Sequence, residues 1–160
     1  EVGSKSVSSG SFKFSEPKSV RWEYFGPDPS LVVSDGEKTW IFDSTNKEVQ
    51  VLPGKGGGLS GGVLDFLLSG SDLKKEFGVE VEDCESLVVS LLLTPEEDSL
   101  FERAKLSINS RTGHISETEI VDPFGNRTRI KFSNVRTGQG LEASLFKFRV
   151  TKDMRVLKIP

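Results

Sequence analysis

Gly10-Ser11-Phe12-Lys13-Phe14-Ser15-Glu16-Pro17, then Val20-Arg21-Trp22-Glu23-Tyr24, then Leu31-Val32-Val33-Ser34-Asp35-Gly36-Glu37-Lys38-Thr39-Trp40-Ile41-Phe42, is the stretch that decides the fold. In its first two runs apolar side chains alternate one by one with Lys13, Arg21 and Glu23. Successive side chains of a strand point to opposite faces, so a period of two marks strands with one wet and one buried side. Asp35-Gly36 stands between two apolar runs and predicts a hairpin turn, because both residues tolerate positive φ.

The same reading extends along the chain. Ile130 and Phe132 alternate with Arg129 and Lys131, and Phe146, Phe148 and Val150 alternate with Lys147 and Arg149. Thr112-Gly113 and Phe124-Gly125-Asn126 supply further turns. The pattern predicts about eleven strands, near 9–14, 20–25, 30–34, 38–42, 48–52, 77–82, 87–93, 103–109, 114–121, 127–134 and 144–150. One segment departs from it. A glycine-rich loop from Pro53 to Gly62 leads into Val63-Leu64-Asp65-Phe66-Leu67-Leu68, where Val63, Phe66 and Leu67 share one helical face. Leu64 and Leu68 make this short helix apolar nearly all round, which calls for burial on more than one side. Thr94-Pro95-Glu96-Glu97 predicts a second helical turn, with Thr94 as cap and proline at the first helical position.

Composition narrows the function. The 160 residues fit a single domain, 1–160. Charge is balanced, 24 acidic against 21 basic residues for a net of −3, and no single-sign block suits a nucleic-acid partner. The apolar runs fall short of the roughly 20 residues of a membrane helix, so a soluble protein is expected. One cysteine, Cys84, and one histidine, His114, allow neither an internal disulfide nor a Cys/His zinc cluster. No catalytic residue, metal or cofactor is expected, and an enzyme is disfavoured. Phenylalanine dominates the aromatics, 11 against 2 tryptophans and 1 tyrosine, as suits a greasy, sheet-rich interior.

A sheet of about eleven strands that curls on itself encloses more than side chains can fill, since barrels of about eight strands are already filled or hold one small ligand. With one short helix to occupy the space, an apolar hollow is expected. Two sheets packed face to face are the alternative at this point, and they would leave no hollow.

The order G-x-F-x-F-x-x-P, R-W-x-Y, S-D-G-x-x-x-W, carried by Gly10 to Pro17, Arg21 to Tyr24 and Ser34 to Trp40, resembles the periplasmic outer-membrane lipoprotein carrier family, LolA. Leu93-Thr94-Pro95, Asp122-Pro123-Phe124-Gly125-Asn126-Arg127-Thr128 and Phe146-Lys147-Phe148 are similar to its later landmarks. The resemblance implies a mainly β fold: an incomplete, strongly curved antiparallel barrel of about eleven strands under a short helical lid. It implies a periplasmic carrier of a Gram-negative bacterium that buries the acyl chains of lipoproteins and does no covalent chemistry. The implied partners are acylated lipoproteins, an inner-membrane ABC transporter that releases them and an outer-membrane receptor lipoprotein; the carrier itself is expected to be a monomer. An anchored receptor lipoprotein or a sensor domain on the same half-barrel is the alternative. Val20, Trp22, Tyr24, Val33, Trp40 and Phe42 are expected to line the cavity, with Val63, Phe66 and Leu67 as its mobile cover.

Some positions depart from the family pattern. The family's opening helix and strand are expected to be missing, since only Glu1 to Ser9 precede Gly10. Glu16 stands where a basic residue usually latches the lid, Val20 where an aromatic is usual, and Thr151 where a proline follows the last F-x-F run. Other motifs lack their context. Gly56-Gly57-Gly58-Leu59-Ser60-Gly61 satisfies G-x-G-x-x-G, but no parallel strand follows it, and a hinge is expected instead. Glu96, Glu97 and Asp98 read as a solvated helical first turn, His114 as a polar turn residue, and Cys84, between two acids, as an inert thiol. Asn126-Arg127-Thr128 is a glycosylation sequon by pattern only.

Overall fold

The computed structural model describes residues 5–16, 19–53, 77–84, 86–96 and 101–158. The expected cover, Val63, Phe66 and Leu67, lies outside the described residues, as does the glycine-rich loop before it. Among the described residues the chain is almost entirely strands and turns, with two sheets that no ladder joins into a closed barrel. No helix among them is long and apolar enough to cross a membrane. The chain divides into two compact units, residues 1–57 with 140–160, and residues 58–139.

The first unit holds a six-stranded sheet. Its strands are β1 (Gly10–Ser15), β2 (Ser19–Tyr24), β3 (Ser30–Ser34), β4 (Lys38–Asp43), β5 (Glu48–Pro53) and β11 (Arg155–Lys158), in that spatial order. The first five form an antiparallel meander, and β11 pairs parallel to β5, Arg155 opposite Glu48. The glycine that opens β1 has a steric reason. A Cβ on Gly10 would lie 2.0 Å from the Glu23 carbonyl oxygen, so any side chain there would push β1 off β2.

The hairpin after β3 forms where expected, with a different turn. Asp35 N–H donates to the Lys38 carbonyl at 3.2 Å, leaving Gly36 and Glu37 as its central pair. Gly36 takes positive φ (92°) whereas Asp35 does not. The Asp35 carboxylate is used as an acceptor for the Glu37 and Lys38 amides, at 2.9 and 2.8 Å.

The second unit is a five-stranded antiparallel meander of β6 (Phe77–Asp83), β7 (Val88–Pro95), β8 (Arg103–Asn109), β9 (Ile115–Val121) and β10 (Arg127–Lys131). Its core is Phe77, Leu93, Phe101, Ala104, Leu106 and Ile120, with Phe77 and Phe101 stacked at 5.9 Å.

Two expectations are corrected. Residues 144–150 are not a strand: Ala143–Phe146 form a 3-10 turn, and Lys147 is extended at φ −108°, ψ 132°. An extended segment alternates its side chains whether or not it joins a ladder, so a segment lying over a sheet imitates a strand within one. The remaining strand is instead β11, four exposed residues without an apolar alternation. Thr94 and Pro95 do not open a helix, since β7 runs through both and Phe77 pairs with Pro95.

Candidate functional site

Register decides which side chains share a face, because residues directly opposite in neighbouring strands point the same way. In the first sheet Trp22 lies opposite Phe12 and Val32, and Val32 opposite Ile41. Val20 lies opposite Phe14 and Ser34, and Tyr24 opposite Gly10 and Ser30. Val20, Trp22 and Tyr24 therefore share one face with Phe12, Phe14, Val32 and Ile41. Val33 lies opposite Arg21 and Trp40, and Leu31 opposite Glu23 and Phe42. Val33, Trp40 and Phe42 accordingly occupy the other face. The six expected wall residues divide three and three.

The two faces are finished differently. On the first, Val20 and Val32 are buried, Phe12 meets Trp22 edge-on at 5.4 Å, and Tyr24 stacks on Trp22 at 5.3 Å. These rings form a continuous apolar row along β1 and β2. On the second, the unit's own chain lies across the aromatics. Phe148 stands 6.4 Å from Trp40 and 5.7 Å from Phe42, and Phe146 is buried at the end of the 3-10 turn. Arg21 ties this segment down, donating from Nη1 to the Leu145 carbonyl at 3.3 Å while pairing with Glu23 at 2.5 Å. A cleft of about 210 Å³ opens at the end of β2 to β4, lined by Arg21, Glu23, Tyr24, Phe25, Leu31 and Phe42 among others. It is below the roughly 300–1,000 Å³ of ordinary ligand pockets.

The second sheet has one apolar face and one charged face. Leu91, Leu93, Ala104, Leu106, Thr118, Ile120 and Ile130 follow one another across the register on the apolar side. This face packs as the unit's own core, with Leu91 set against Leu93, Ala104, Leu106 and Ile120. On the opposite side run ion pairs: Lys105 with Glu82 at 2.6 Å, and Arg129 with Glu119 at 2.5 Å, beside Arg127 and Lys131. The Arg129 hydrogen bond holds the Glu119 carboxyl below its usual range, and the Glu82 hydrogen bond pushes Lys105 up. These charges neutralise one another in a ladder on a solvent-facing surface.

Other candidates fall into place as structure. His114 sits in the β8–β9 turn, its carbonyl accepting from the Asn109 amide at 2.8 Å. Cys84 is exposed and free, and Glu16 is exposed just beyond β1. No cluster of His, Cys, Asp or Glu able to hold a metal ion occurs among the described residues. The row of Phe12, Trp22 and Tyr24 offers an apolar surface.

Residues 1–149 match the family described as outer membrane lipoprotein carrier protein LolA. The chain belongs to that family. Similar proteins named outer-membrane lipoprotein carrier protein include one from Dechloromonas aromatica, 38% identical over 143 residues, which cover 88% of this chain and 67% of the relative. Another, from Methylibium petroleiphilum, is 35% identical over 145 residues, covering 90% of this chain and 70% of the relative. In fold the chain is similar to an uncharacterized conserved protein from Thermus thermophilus, with a TM-score of 0.52 at 14% identity over 89% of this chain and 76% of that one. LolA membership agrees with the mainly β architecture and with the signature glycine at position 10, whose closeness to β2 the structure explains. The family is one of transport proteins rather than catalysts.

Proposed function

We propose that this protein is a lipoprotein carrier that holds its cargo by burying acyl chains against the apolar face of β1 to β4. Membership in the LolA family over residues 1–149 is the observation that carries the carrier role. The uninterrupted row of Phe12, Trp22 and Tyr24, on the face that the 3-10 segment leaves alone, supports the choice of wall. In this reading residues 1–160 act as one carrier domain and Val20, Trp22 and Tyr24 touch acyl carbon. Val33, Trp40 and Phe42 hold the Phe146–Phe148 segment, and Val63, Phe66 and Leu67 supply the cover.

Each buried methylene contributes about 0.8 kcal/mol, so one chain of about sixteen carbons gains on the order of 10 kcal/mol before ordering costs. Cargo held that firmly would not leave quickly. A cover that closes well on the empty protein offsets part of this gain, because opening it opposes binding. No bond to the cargo is made or broken. By the same reading the protein works in the periplasm as a monomer. It takes lipoproteins from an inner-membrane ABC transporter and passes them to a receptor lipoprotein at the outer membrane.

The test is retention of a dipalmitoylated lipopeptide by the purified protein on gel filtration. Wild type should carry the peptide through the column, Trp22→Ala should lose most of it, Trp40→Ala should keep it, and Phe66→Glu should fail to load. A wild-type protein that retains no lipopeptide overturns the acyl-burial reading. Retention lost with Trp40→Ala and kept with Trp22→Ala would place the cargo on the other face.

A further inference from the structure

β10 is an outer strand of the second sheet: it pairs with β9 on one side, and among the described residues no strand pairs with its other side. Two hydrogen bonds at its ends fix the phase of that pairing. Asp122 N–H donates to the Asn126 carbonyl at 3.0 Å, and Phe132 N–H donates to the Ser116 carbonyl at 2.9 Å. In an antiparallel ladder, alternate residues spend both backbone groups on the neighbouring strand, and the residues between them turn theirs away. Thr128 and Ile130 therefore bond to β9, while Arg127, Arg129 and Lys131 present N–H and C=O at the outer edge.

The same three residues carry the positive charge of the strand. Arg129 is held by Glu119 at 2.5 Å and Glu117 at 3.4 Å, whereas Arg127 and Lys131 reach those acids only at 3.6 Å, their side chains 64% and 73% exposed. On β8 to β10 the charged face sets Glu117 and Glu119 against Arg103, Lys105, Arg127, Arg129 and Lys131. Acids gather instead at the far side of the sheet, where β6 bears Glu80, Glu82 and Asp83. The ladder is thus polarised, with its positive end on β10. An edge lined by cations rejects apolar and basic strands. It suits an acidic one: acids at every second position fall beside Arg127, Arg129 and Lys131, and the side chains between them fall beside Thr128 and Ile130 on the apolar face.

We infer that the outer edge of β10 is a docking site for an extended acidic segment of a partner protein, added to this sheet as a further strand. Backbone pairing supplies the attachment, and the alternation of acids supplies the selection. A second copy of the chain has a strand of this kind in Val79-Glu80-Val81-Glu82, but joining opposite edges of one sheet head to tail builds rings or filaments. A carrier has to travel singly. The choice of a foreign strand over a second copy therefore rests on the carrier reading, and the docking edge itself does not.

The experiment titrates the purified full chain with three blocked hexapeptides: valine alternating with glutamate, valine alternating with lysine, and the glutamate peptide with an N-methylated backbone. Wild type should bind the glutamate peptide, more weakly as salt rises, and neither of the others. Amide hydrogen exchange at Arg127, Arg129 and Lys131 should slow on binding, while that at Thr128 and Ile130, already bonded to β9, should not change. The double variant Arg127→Glu with Lys131→Glu should bind the glutamate peptide about tenfold or more weakly and take up the lysine peptide instead. Its urea midpoint should match that of wild type, since both cations are exposed and loosely paired. Equal binding of the N-methylated peptide overturns the proposal, as does glutamate-peptide binding that the double variant leaves unchanged or a wild type that binds no peptide. Self-association of wild type that the double variant disperses gives the edge to a second copy and overturns the foreign strand. Binding of phosphatidylglycerol vesicles without any peptide gives it to a membrane and overturns strand addition. None of these measurements reads acyl retention, so each leaves the carrier reading to the lipopeptide test.

Discussion

The two sheets solve the same problem in different ways. The second keeps hydrocarbon on one side, Leu93, Leu106 and Ile120, and a ladder of paired charges on the other, Lys105, Glu119 and Arg129. The first is apolar on both sides, with Trp22 facing one way and Trp40 the other, and part of its own chain covers the Trp40 side. A sheet of the second kind declares its inner face by composition alone. One of the first kind does not, and only register together with the position of Phe148 distinguishes wall from packing.

That contrast can be broken or sharpened by experiment. The largest effect is expected from Leu106→Ala, at about 2–5 kcal/mol from lost transfer and an unfilled cavity, read as a lower urea midpoint. Lys105→Ala on the opposite side of the same strand should cost less than about 1 kcal/mol, since exposed ion pairs contribute little. Equal costs would deny the one-sided character of this sheet. In the first sheet the two faces should behave alike. Val20→Ala and Val33→Ala should each cost about 2 kcal/mol, both side chains being buried on opposite faces. A near-zero cost at either position would make this sheet one-sided as well. Phe148→Ala should cost about 1 kcal/mol and shift Trp emission to the red in a Trp22→Phe background, where Trp40 is the only indole left. An unchanged spectrum would mean that Phe148 does not cover Trp40.

The smallest effect concerns pH. Glu119 is held below its ordinary pKa of 4.5, first by the Arg129 hydrogen bond. A carboxyl depressed in the folded state adds stability that is complete above the unfolded value and disappears as the pH falls through the folded one. Between pH 5 and 3 wild type should therefore lose slightly more stability than Glu119→Gln, measured by urea unfolding at each pH. Parallel curves would show that the charge ladder does not stabilise the fold.

Most of this architecture was legible in the residues. Alternation at Val20-Arg21-Trp22-Glu23-Tyr24 and the apolar runs on either side of Asp35-Gly36 located strands β2 to β4 nearly to the residue, because local pattern and tertiary burial agree there. Where they diverge, the reading failed. Phe146 and Phe148 alternate because their segment straddles a sheet surface, which produces the same periodicity as membership in a sheet. β11 is four exposed residues held by parallel pairing to β5 and by the Arg155–Glu48 ion pair, both set by residues about a hundred positions away. The candidate wall suffered from a related ambiguity. Trp22 and Trp40 are equally greasy, and nothing local to either says that they point in opposite directions.

The parallel pairing of β11 with β5 has a consequence for how the protein folds. Residues 140–160 belong to the same compact unit as residues 1–57, so the intervening 58–139 are inserted into a unit that begins and finishes around them. In folding, the β5 edge depends on a partner roughly a hundred residues further along the chain, and until it arrives Val49 and Val51 have no neighbour on that side. The inserted meander, whose ladders all join consecutive strands, can be completed in the meantime. Folding thus leaves one open sheet border exposed until residues 155–158 arrive, and this is the interval in which a general holdase would have most to protect.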